Sequence, residues 1–482
     1  MIRVLAVASE VFPLVKTGGL ADVVGALPLA LSQVGAEVLT LVPGYPAVLG
    51  RIGDTASVYH FPDLFGAPAD LRRATVAGLN LLALDAPHLF RRHGNPYLGP
   101  DGREWPDNGI RFAGLGAAAG AVAVGLVPGL QFDIVHLHDW QAALAAVYLR
   151  FHQGPRPATV LTIHNLAFQG LYPAALFPRL GLPAAAFAMD GLEYYGGVNL
   201  LKGGVASADW LTTVSPTYAR EITGPDNGMG LDGLLRHRAD RLSGILNGID
   251  TTIWNPAADP LIAQRFGPDD ASRRAVNKAA LRTRMGLAPD PDRLLVGAIS
   301  RLTSQKGLDM VLDRIGTLLD LGMQLAILGS GEPALEAAFL AAFRRHAGRI
   351  GCVLGYDEAL AHLIQAGSDA ILVPSRFEPC GLTQLYALHY GAIPVVSRVG
   401  GLADSVIDAN QAALNAGVAT GVQFWPATPD ALEDALHRLN SLWHDKPAWQ
   451  RMQRNGMAAD VSWAAPASRY IALYRSLLAE RS

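Results

Sequence analysis

The stretch Arg3-Val4-Leu5-Ala6-Val7-Ala8, followed by Gly18-Gly19-Leu20-Ala21-Asp22, indicates how this chain folds. The first run is apolar after Arg3, as in a parallel strand covered on both faces, and the second opens a segment rich in Ala and Leu. The same five letters recur as Gly400-Gly401-Leu402-Ala403-Asp404 after another apolar run. Paired glycines between a strand and a helix can leave backbone N–H groups open to a ligand, although chance similarity among small residues also explains the repeat. We therefore predict two ligand-binding loops at the carboxyl ends of two sheets.

Short β-branched runs alternate with longer Ala- and Leu-rich stretches along the whole chain, which is typical of a doubly wound α/β fold. Predicted strands of a first sheet are Arg3–Ala8, Glu37–Val42, Leu79–Leu84, Asp133–His136, Thr159–Ile163 and Trp210–Val214. Predicted strands of a second sheet are Leu294–Ile299, Gln324–Leu328, Gly351–Leu354, Ala370–Val373 and Ile393–Val396.

The chain has 482 residues, more than the roughly 250–300 at which a single hydrophobic core stops growing. The turn-rich stretch Asn247-Gly248-Ile249-Asp250 separates the two sets of strands and is the expected hinge. We predict two Rossmann-like domains, residues 1–246 and 247–460, that face each other across a deep cleft. Residues 461–482 contain a helical pattern that could pack on either domain and is expected on the first.

Composition excludes several classes of protein. Half of the residues are hydrophobic and 17% are charged, which excludes a disordered chain. The formal net charge of −3 gives no general attraction to nucleic acid or to an anionic membrane, so neither is an expected partner. The two cysteines, Cys352 and Cys380, offer no disulfide framework, and the first residues lack the long apolar stretch of a signal peptide. We therefore expect a cytoplasmic protein.

The stretch from Phe112 to Leu130 carries no charged residue and has nearly the length of a membrane span. It consists mostly of Ala and Gly and reaches Pro128-Gly129 at its end, which favours a helix buried against a sheet.

The segment Ser300-Arg301-Leu302-Thr303-Ser304-Gln305-Lys306-Gly307 directly follows a predicted buried strand and is the strongest local indication of chemistry. Arg301 and Lys306 would be fixed cations at a strand–helix junction, where a departing nucleoside diphosphate needs its negative charge stabilised. A solvated basic turn is the alternative interpretation.

The segment Pro374-Ser375-Arg376-Phe377-Glu378-Pro379-Cys380-Gly381-Leu382-Thr383-Gln384 also joins a strand to a helix. Gly381–Thr383 would open a helix whose N–H groups and dipole favour a phosphate. Glu378 is placed to accept hydrogen bonds from sugar hydroxyls, although it could instead cap the helix. Cys380 is expected to be a small packed residue and not a nucleophile.

Histidines and a carboxylate follow two strands of the first half. His136 and His138 should point to one face of a strand, but no second cluster with metal-ligand spacing appears, so no metal site is expected. Asp139, just past that strand, is the better active-site candidate, its alternative role being to cap the next helix. His164 ends another strand, where it could bond a sugar hydroxyl or serve only the structure.

A nicotinamide-dependent enzyme would suit the same fold. However, the first loop reads Lys16-Thr17-Gly18-Gly19 instead of G-x-G-x-x-G, and no acidic residue follows Leu41-Val42-Pro43 to hold a ribose. That function is therefore rejected. Asp290-Pro291-Asp292 could suggest a metal-binding acidic pair, but it lies in a Pro-rich stretch and is interpreted as a solvated turn.

Five motifs together closely resemble those of the bacterial glycogen synthases and plant starch synthases. They are Lys16-Thr17-Gly18-Gly19-Leu20, His138-Asp139-Trp140, His164-Asn165, Arg301 with Lys306, and Glu378-Pro379-Cys380-Gly381-Leu382. The resemblance runs from the first strand to the final helix and implies the GT-B architecture of two Rossmann-like domains. It also implies transfer of glucose from ADP-glucose to the non-reducing 4-hydroxyl of an α-1,4-glucan such as glycogen, with retention of configuration and with neither metal nor other cofactor.

Carried over by position, the resemblance implies a catalytic set of Asp139, His164, Arg301, Lys306 and Glu378. Arg301 and Lys306 would bind the diphosphate, Glu378 would hold glucose hydroxyls, and Asp139 with His164 would line the donor sugar and the acceptor. The other positions implied to bind substrate are Lys16, Gly18, Gly19, Asp22, Tyr97, Asn165, Asn247, Gly331, Tyr356, Cys380, Gly381, Leu382 and Thr383.

The chain departs from the family pattern at Gln141 and Asp357, where the family commonly has histidines, and these departures bear on fine substrate preference. Tyr386 stands where related glycosyltransferases have a second glutamate, as it does in synthases of this family. Two other functions fit the same residues: a transferase with a small acceptor, and a catalytically silent nucleotide-sugar-binding protein. The sequence does not indicate the oligomeric state.

Overall fold

The computed structural model describes residues 1–481, and in it the chain divides into two compact units. The first unit comprises Met1–Asn247 together with the chain from Trp463 onward, and the second comprises Gly248–Ser462. The last helix of the chain therefore belongs to the unit that contains its first strand.

Strands are numbered along the chain. They are β1 (Ile2–Val7), β2 (Ala36–Pro43), β3 (Ser57–Phe61), β4 (Ala69–Val76), β5 (Leu79–Asp85), β6 (Ile134–His138), β7 (Ala158–Ile163), β8 (Leu171–Pro173), β9 (Glu193–Tyr194), β10 (Gly197–Asn199), β11 (Trp210–Thr213), β12 (Leu242–Gly244), β13 (Leu295–Ile299), β14 (Gln324–Gly329), β15 (Ile350–Leu354), β16 (Ala370–Val373), β17 (Ile393–Ser397) and β18 (Val422–Phe424). Every strand predicted from an apolar run is confirmed, with its ends within two residues of the prediction.

Helices are numbered in the same way. They are α1 (Gly19–Gln33), α2 (Pro46–Ile52), α3 (Pro87–Phe90), α4 (Asn108–Ala123), α5 (Asp139–Arg150), α6 (Leu200–Ser207), α7 (Pro216–Glu221), α8 (Asp232–His237), α9 (Arg274–Met285), α10 (Leu308–Asp313), α11 (Ile315–Asp320), α12 (Pro333–Arg345), α13 (Glu358–Gly367), α14 (Thr383–His389), α15 (Gly400–Ser405), α16 (Gln411–Ala416), α17 (Pro429–His444), α18 (Lys446–Ala458) and α19 (Ala464–Ala479).

The main sheet of the first unit has the order β12-β11-β7-β6-β1-β2-β5-β4-β3. Its strands are parallel except that β4 runs antiparallel to β3 and to β5. From β1 the chain adds β2 and β5 on one side and then returns to place β6 and β7 on the other. The strand order thus reverses between β1 and β6, the point at which open α/β sheets bind ligands.

The sheet of the second unit has the order β15-β14-β13-β16-β17-β18, and all its pairs are parallel. This is the doubly wound arrangement, with the order reversing between β13 and β16. Buried apolar side chains cover both faces of the sheet, which is why its strands appear in the sequence as continuous apolar runs.

The uncharged stretch that begins at Phe112 lies largely in α4, which starts at Asn108 and ends at Ala123, well before Leu130. Nearly every residue of α4 is buried, as a helix packed against a sheet requires. Within the described part of the chain, no helix has both the length and the apolarity needed to cross a bilayer.

Candidate active site

In the second unit, the loops after β13 and β16 bring Lys306 and Glu378 together. The two strands are neighbours in the sheet, so their carboxyl ends share one edge. Lys306 Nζ lies 2.6 Å from Glu378 Oε2, and the Ser375 hydroxyl donates to the same oxygen at 2.8 Å. Glu378 is only 6% exposed, so the ammonium and the hydroxyl compensate a carboxylate that burial would otherwise disfavour. The alternative role of Glu378 as a helix cap is wrong, because α14 begins without a side-chain cap.

Three glycines allow these strand-end loops to approach one another closely. Gly307 has φ +68°, and a Cβ there would lie 2.0 Å from the carbonyl oxygen of Pro374. A Cβ on Gly329 would lie 1.9 Å from Ser300 O, and one on the predicted site residue Gly331 would lie 2.2 Å from Leu302 O. The segment with Arg301 and Lys306 is thus held by backbone contact from two sides.

Arg301 is exposed on the same loop, where its guanidinium donates to Gln305 Oε1 at 3.2 Å. The neighbouring cation Arg376 is used differently, because it pairs with Asp309 at 2.5 Å. Arg301 contacts a neutral amide and Arg376 a carboxylate, so the charge of Arg301 is the less compensated of the two for an anionic ligand.

The segment before α14 is arranged around Gln384. Its side-chain amide donates to Cys380 O at 3.1 Å and to Gly381 O at 2.9 Å, while Gly381 adopts φ +74°. Cys380 is buried, as predicted, and Gly381, Leu382 and Thr383 are half-buried at the start of the helix.

The repeated Gly-Gly-Leu-Ala-Asp segments begin helices α1 and α15, but their environments differ. Gly401 N–H donates to Glu378 O at 3.1 Å, and a Cβ on Gly400 would lie 2.0 Å from the same oxygen. The prediction that this second loop leaves its N–H groups open is therefore wrong for Gly401, which supports the Glu378 loop. In the first loop Gly18 is exposed and a Cβ there would meet no atom within 4 Å.

In the first unit, Asp139 follows β6 at the reversal of strand order. It has φ +59°, a left-handed conformation that is uncommon for a residue with a side chain and concentrates at functional sites. Its Oδ1 accepts hydrogen bonds from His164 N–H at 2.7 Å and Asn165 N–H at 3.4 Å, so the alternative role as cap of α5 is wrong. Burial raises the pKa of Asp139 to about 7. The two backbone N–H groups act to lower this pKa, and the charge of Glu10 acts to raise it.

The histidines beside Asp139 form a row in which His136 and His138 are buried and His164 is half-buried. The rings of His136 and His138 lie 4.3 Å apart, which confirms that they share a face. His138 Nδ1 is 2.9 Å from His164 Nε2, while His136 is bonded to Thr162 Oγ1 at 2.6 Å and to the Tyr474 hydroxyl at 2.8 Å.

Burial lowers the pKa of His138 to about 3 and also lowers the pKa values of His136 and His164, so all three rings are neutral near pH 7. Across residues 1–481, no three or more His, Cys, Asp or Glu side chains are grouped so that they could hold a metal ion.

Glu10 is a candidate site residue that the sequence did not indicate. Its buried carboxylate accepts hydrogen bonds from Thr17 N–H at 2.5 Å, Thr17 Oγ1 at 2.6 Å and the Tyr97 hydroxyl at 2.5 Å. It thereby fixes both Tyr97 and the loop before Gly18. The available signal was a carboxylate three residues beyond β1, at the carboxyl end of the central strand.

The remaining predicted positions are distributed over both units. In the first unit, Lys16 Nζ pairs with Asp22 Oδ1 at 2.8 Å, and Asn247 is buried with its Oδ1 lacking a hydrogen-bond partner among the described residues. In the second unit, Tyr356 is 79% exposed after β15, two strands away from β13.

Asp357 and Gln141, the two departures from the family pattern, differ in their local contacts. Asp357 caps α13, accepting from Leu360 N–H at 2.9 Å, and pairs with Arg284 at 3.1 Å. Gln141 is buried on α5, and its Oε1 has no hydrogen-bond partner in the part of the chain described.

Asp290 pairs with Arg293 at 2.9 Å, which agrees with its interpretation as part of a turn.

Two family models match the chain. Residues 3–237 match the starch synthase catalytic domain, and residues 282–458 match the glycosyl transferases group 1. Each match lies within one of the two structural units.

Full-length relatives are also similar. A glycogen synthase of Rhodopseudomonas palustris is 59% identical over 481 residues, covering 100% of this chain and 98% of the relative. A glycogen synthase of Methylocella silvestris is 58% identical over 480 residues, covering 100% and 99%.

Among solved structures, the catalytic domain of starch synthase IV from Arabidopsis thaliana, bound to ADP and acarbose, superposes with a TM-score of 0.89. It is 33% identical, and the match covers 99% of each chain. The chain therefore belongs to the family of bacterial glycogen synthases and plant starch synthases, which are hexosyltransferases with the two-domain GT-B fold.

Proposed function

We propose that this protein transfers glucose from ADP-glucose to the non-reducing 4-hydroxyl of an α-1,4-glucan, with retention of anomeric configuration. As a member of its family it uses a nucleotide-sugar donor and a glucan acceptor. The relatives named glycogen synthase and the starch synthase bound to ADP and acarbose support glycogen and ADP-glucose as the specific pair. The observation that carries the proposal is the 2.6 Å contact between Lys306 and Glu378 at the reversal of strand order, with Arg301 on the same loop.

In the proposed donor site, Arg301 and Lys306 bind the diphosphate. Both cations are positioned before the reaction, so they would stabilise the negative charge on the leaving group at little reorganisation cost. Because Lys306 contacts Glu378, a diphosphate bound to Lys306 would lie beside this carboxylate, which would accept hydrogen bonds from glucose hydroxyls. The backbone N–H groups of Gly381–Thr383 lie beside the distal phosphate in this proposal.

The first unit supplies the proposed acceptor side. Asp139 and His164 line the donor sugar and the acceptor, and the loop with Lys16, Gly18 and Gly19 covers the diphosphate and sugar. A neutral His164 can exchange hydrogen bonds with sugar hydroxyls without adding charge. The proposal requires groups of both units to act in one reaction and to exclude water, because an activated glucosyl group would otherwise be hydrolysed.

We propose front-face attack. The bond between glucose C1 and the phosphate oxygen breaks, and its electron pair stays on the diphosphate. The glucan O4 then bonds to C1 from the same face and gives its proton to the departing phosphate. Two observations disfavour a covalent glucosyl–enzyme intermediate: Glu378 is paired with Lys306, and Asp139 is hydrogen-bonded with a pKa raised to about 7. A trapped glucosyl adduct on either carboxylate would contradict this mechanism.

Incubation with glycogen and either ADP-glucose or UDP-glucose, with diphosphate release and chain elongation measured separately, tests the proposal. We expect ADP release matched by new α-1,4 linkages, and much less reaction with UDP-glucose. Diphosphate release with a small sugar acceptor but not with glycogen would indicate a small-molecule transferase. Binding of ADP-glucose without turnover would indicate a nucleotide-sugar-binding protein.

The same proposal places the enzyme in the cytoplasm. Cys352 and Cys380 are both free thiols, which a reducing compartment would maintain. Fractionation of cells followed by the elongation assay would locate the activity.

A further inference from the structure

A cluster of polar and aromatic side chains lies beside α13 in the second unit. At its centre His362 and Asp259 are both fully buried, with His362 Nδ1 2.7 Å from Asp259 Oδ2. The Tyr390 hydroxyl donates to the same carboxylate oxygen at 2.6 Å. The proposed reaction assigns no role to this cluster.

His362 also faces a second carboxylate: its buried Nε2 lies 3.7 Å from Glu358 Oε1, an ion-pair distance, and has no hydrogen-bond partner among the described residues. A neutral imidazole has one N–H and can donate it towards only one of the two carboxylates. An imidazolium has an N–H on each ring nitrogen and a positive charge that attracts both carboxylates. Burial by itself would lower the pKa of His362, but the interactions with Asp259 and Glu358 raise it above its ordinary value. For Asp259, burial would raise the pKa, and the bonds from His362 and Tyr390 lower it.

Glu358 carries this arrangement to the surface. It accepts a hydrogen bond from the hydroxyl of Tyr356, whose side chain is one of the most exposed aromatic groups of the second unit. A series of contacts therefore leads from a buried carboxylate to an exposed ring, through Asp259, His362, Glu358 and Tyr356. An aromatic ring held in place before a ligand arrives loses less conformational entropy when it binds.

Trp254 strengthens the anchor from a second direction. Its indole stacks on His362 at a ring separation of 3.8 Å and on Tyr386 of α14 at 3.8 Å, with interplanar angles of 13° and 15°. A cation on the face of an indole is a favourable contact. The stack also packs α13 against α14. Tyr356 lies just before α13, and Gly381–Thr383 lead into α14.

We infer that His362 is a positioning residue for the nucleotide of the donor: it anchors Glu358, and Glu358 fixes the ring of Tyr356 for contact with the nucleoside. The inference rests on the proposed function and on the family resemblance, which implies that Tyr356 binds substrate; we assign that contact to the nucleoside. His362 itself touches no substrate, so it acts on donor affinity and not on bond breaking.

The test compares the wild-type chain with His362→Gln and with His389→Gln, in which another largely buried imidazole of the same unit is removed from α14. We measure kcat and KM for ADP-glucose, the Kd of ADP and the melting temperature. His362→Gln should raise KM and Kd by about fivefold or more while kcat changes by less than about twofold. His389→Gln should leave KM and Kd unchanged even if it lowers the melting temperature.

Two further comparisons test the route through Glu358, and the first of them does not require His362→Gln to fold. Glu358→Ala removes a partly exposed side chain and should raise KM and Kd in the same way with an unchanged melting temperature. In the background of Tyr356→Phe, which keeps the ring but loses the hydroxyl, His362→Gln should add less than about twofold, because the route through Glu358 is already broken.

The inference is overturned if His362→Gln resembles His389→Gln, if Glu358→Ala leaves donor affinity unchanged, or if the effects of Tyr356→Phe and His362→Gln are additive. A wild-type chain that neither binds ADP nor transfers glucose would overturn the proposed function and this inference with it. A wild-type chain that turns over ADP-glucose, with a His362→Gln variant that equals it, would overturn this inference alone.

Discussion

At the scale of single residues, Asp139 combines three unusual properties: a left-handed backbone, burial, and hydrogen bonds to the backbone of the loop after β7. Burial raises its pKa from 3.8 to about 7. The folded chain therefore keeps a proton here over an interval in which the unfolded chain has released it.

This difference predicts how stability depends on pH. The stabilisation from the extra proton is complete below pH 3.8 and is lost as the pH rises through about 7. Asp139→Asn has no such proton to lose. Its free energy of unfolding, relative to that of the wild-type chain, should therefore increase by about 1.4 kcal/mol per pH unit between these values. Melting temperatures of both proteins from pH 4 to pH 9 measure the gain. A difference that does not vary with pH would show that Asp139 ionises as it does in the unfolded chain.

Lys306 supports a second prediction at this scale. Loss of a fixed contact to the charge of the transition state costs about 3–4 kcal/mol, so Lys306→Ala should lower kcat by roughly 100- to 1,000-fold with the fold retained. Steady-state kinetics with ADP-glucose and glycogen measure this, and circular dichroism checks the fold. Lys446→Ala is the matched control, because Lys446 lies 3.2 Å from the ring of Trp443 and has no proposed contact with substrate. Near-normal turnover in Lys306→Ala would remove Lys306 from the mechanism.

At the scale of elements, the strand-end loops of the second unit depend on glycine for their close approach. Gly307→Ala would place a Cβ 2.0 Å from Pro374 O at φ +68°, which should destabilise the unit by about 2–4 kcal/mol. It should also reduce kcat, because small displacements of positioned groups are costly to catalysis. Thermal unfolding and steady-state kinetics measure the two effects.

Gly316→Ala is the control for that substitution. Gly316 lies in α11, where a Cβ would meet no atom within 4 Å, so alanine should stabilise the helix by about 0.5–1 kcal/mol. Equal behaviour of the two variants would mean that the loop with Arg301 and Lys306 tolerates displacement.

The elements also show what the sequence could predict. Strands buried on both faces, such as β13 and β14, appear as uninterrupted apolar runs and were predicted within two residues. β4 was missed, because its buried residues and then its exposed residues alternate with half-buried ones near the edge of the sheet and leave no apolar run. The 16-residue α4 was predicted too far towards Leu130, because absence of charge continues past the point where the helix ends.

The candidate site was predictable where a motif directly follows a strand, as with Asp139 and Lys306. The sequence did not show that Lys306 pairs with Glu378, because 72 residues separate them and only the order of the strands brings them together. Glu10 was missed for a similar reason: its partners Thr17 and Tyr97 lie in two separate loops.

At the scale of the whole molecule, the chain crosses between its two units twice, and its last helix completes the unit that contains its first strand. Tyr470 and Tyr474 of α19 are buried in one cluster with Val4 of β1 and Leu27 of α1. Tyr474 also bonds to His136, beside the histidines next to Asp139. The stability of the first unit therefore depends on residues that follow the whole second unit in the sequence.

This dependence is open to a direct test. Tyr474→Ala removes a fully buried ring and should destabilise the first unit by about 3–5 kcal/mol, whereas Tyr474→Phe loses only the bond to His136 and should cost about 1–2 kcal/mol. Arg475→Ala, at an exposed position of the same helix, should leave stability nearly unchanged. Differential scanning calorimetry with and without ADP separates the units, because Arg301 and Lys306 are proposed to bind the diphosphate and ADP should therefore raise the transition of the second unit more. If the transition that ADP raises less is the same in Tyr474→Ala and Arg475→Ala, the first unit folds without its C-terminal helix.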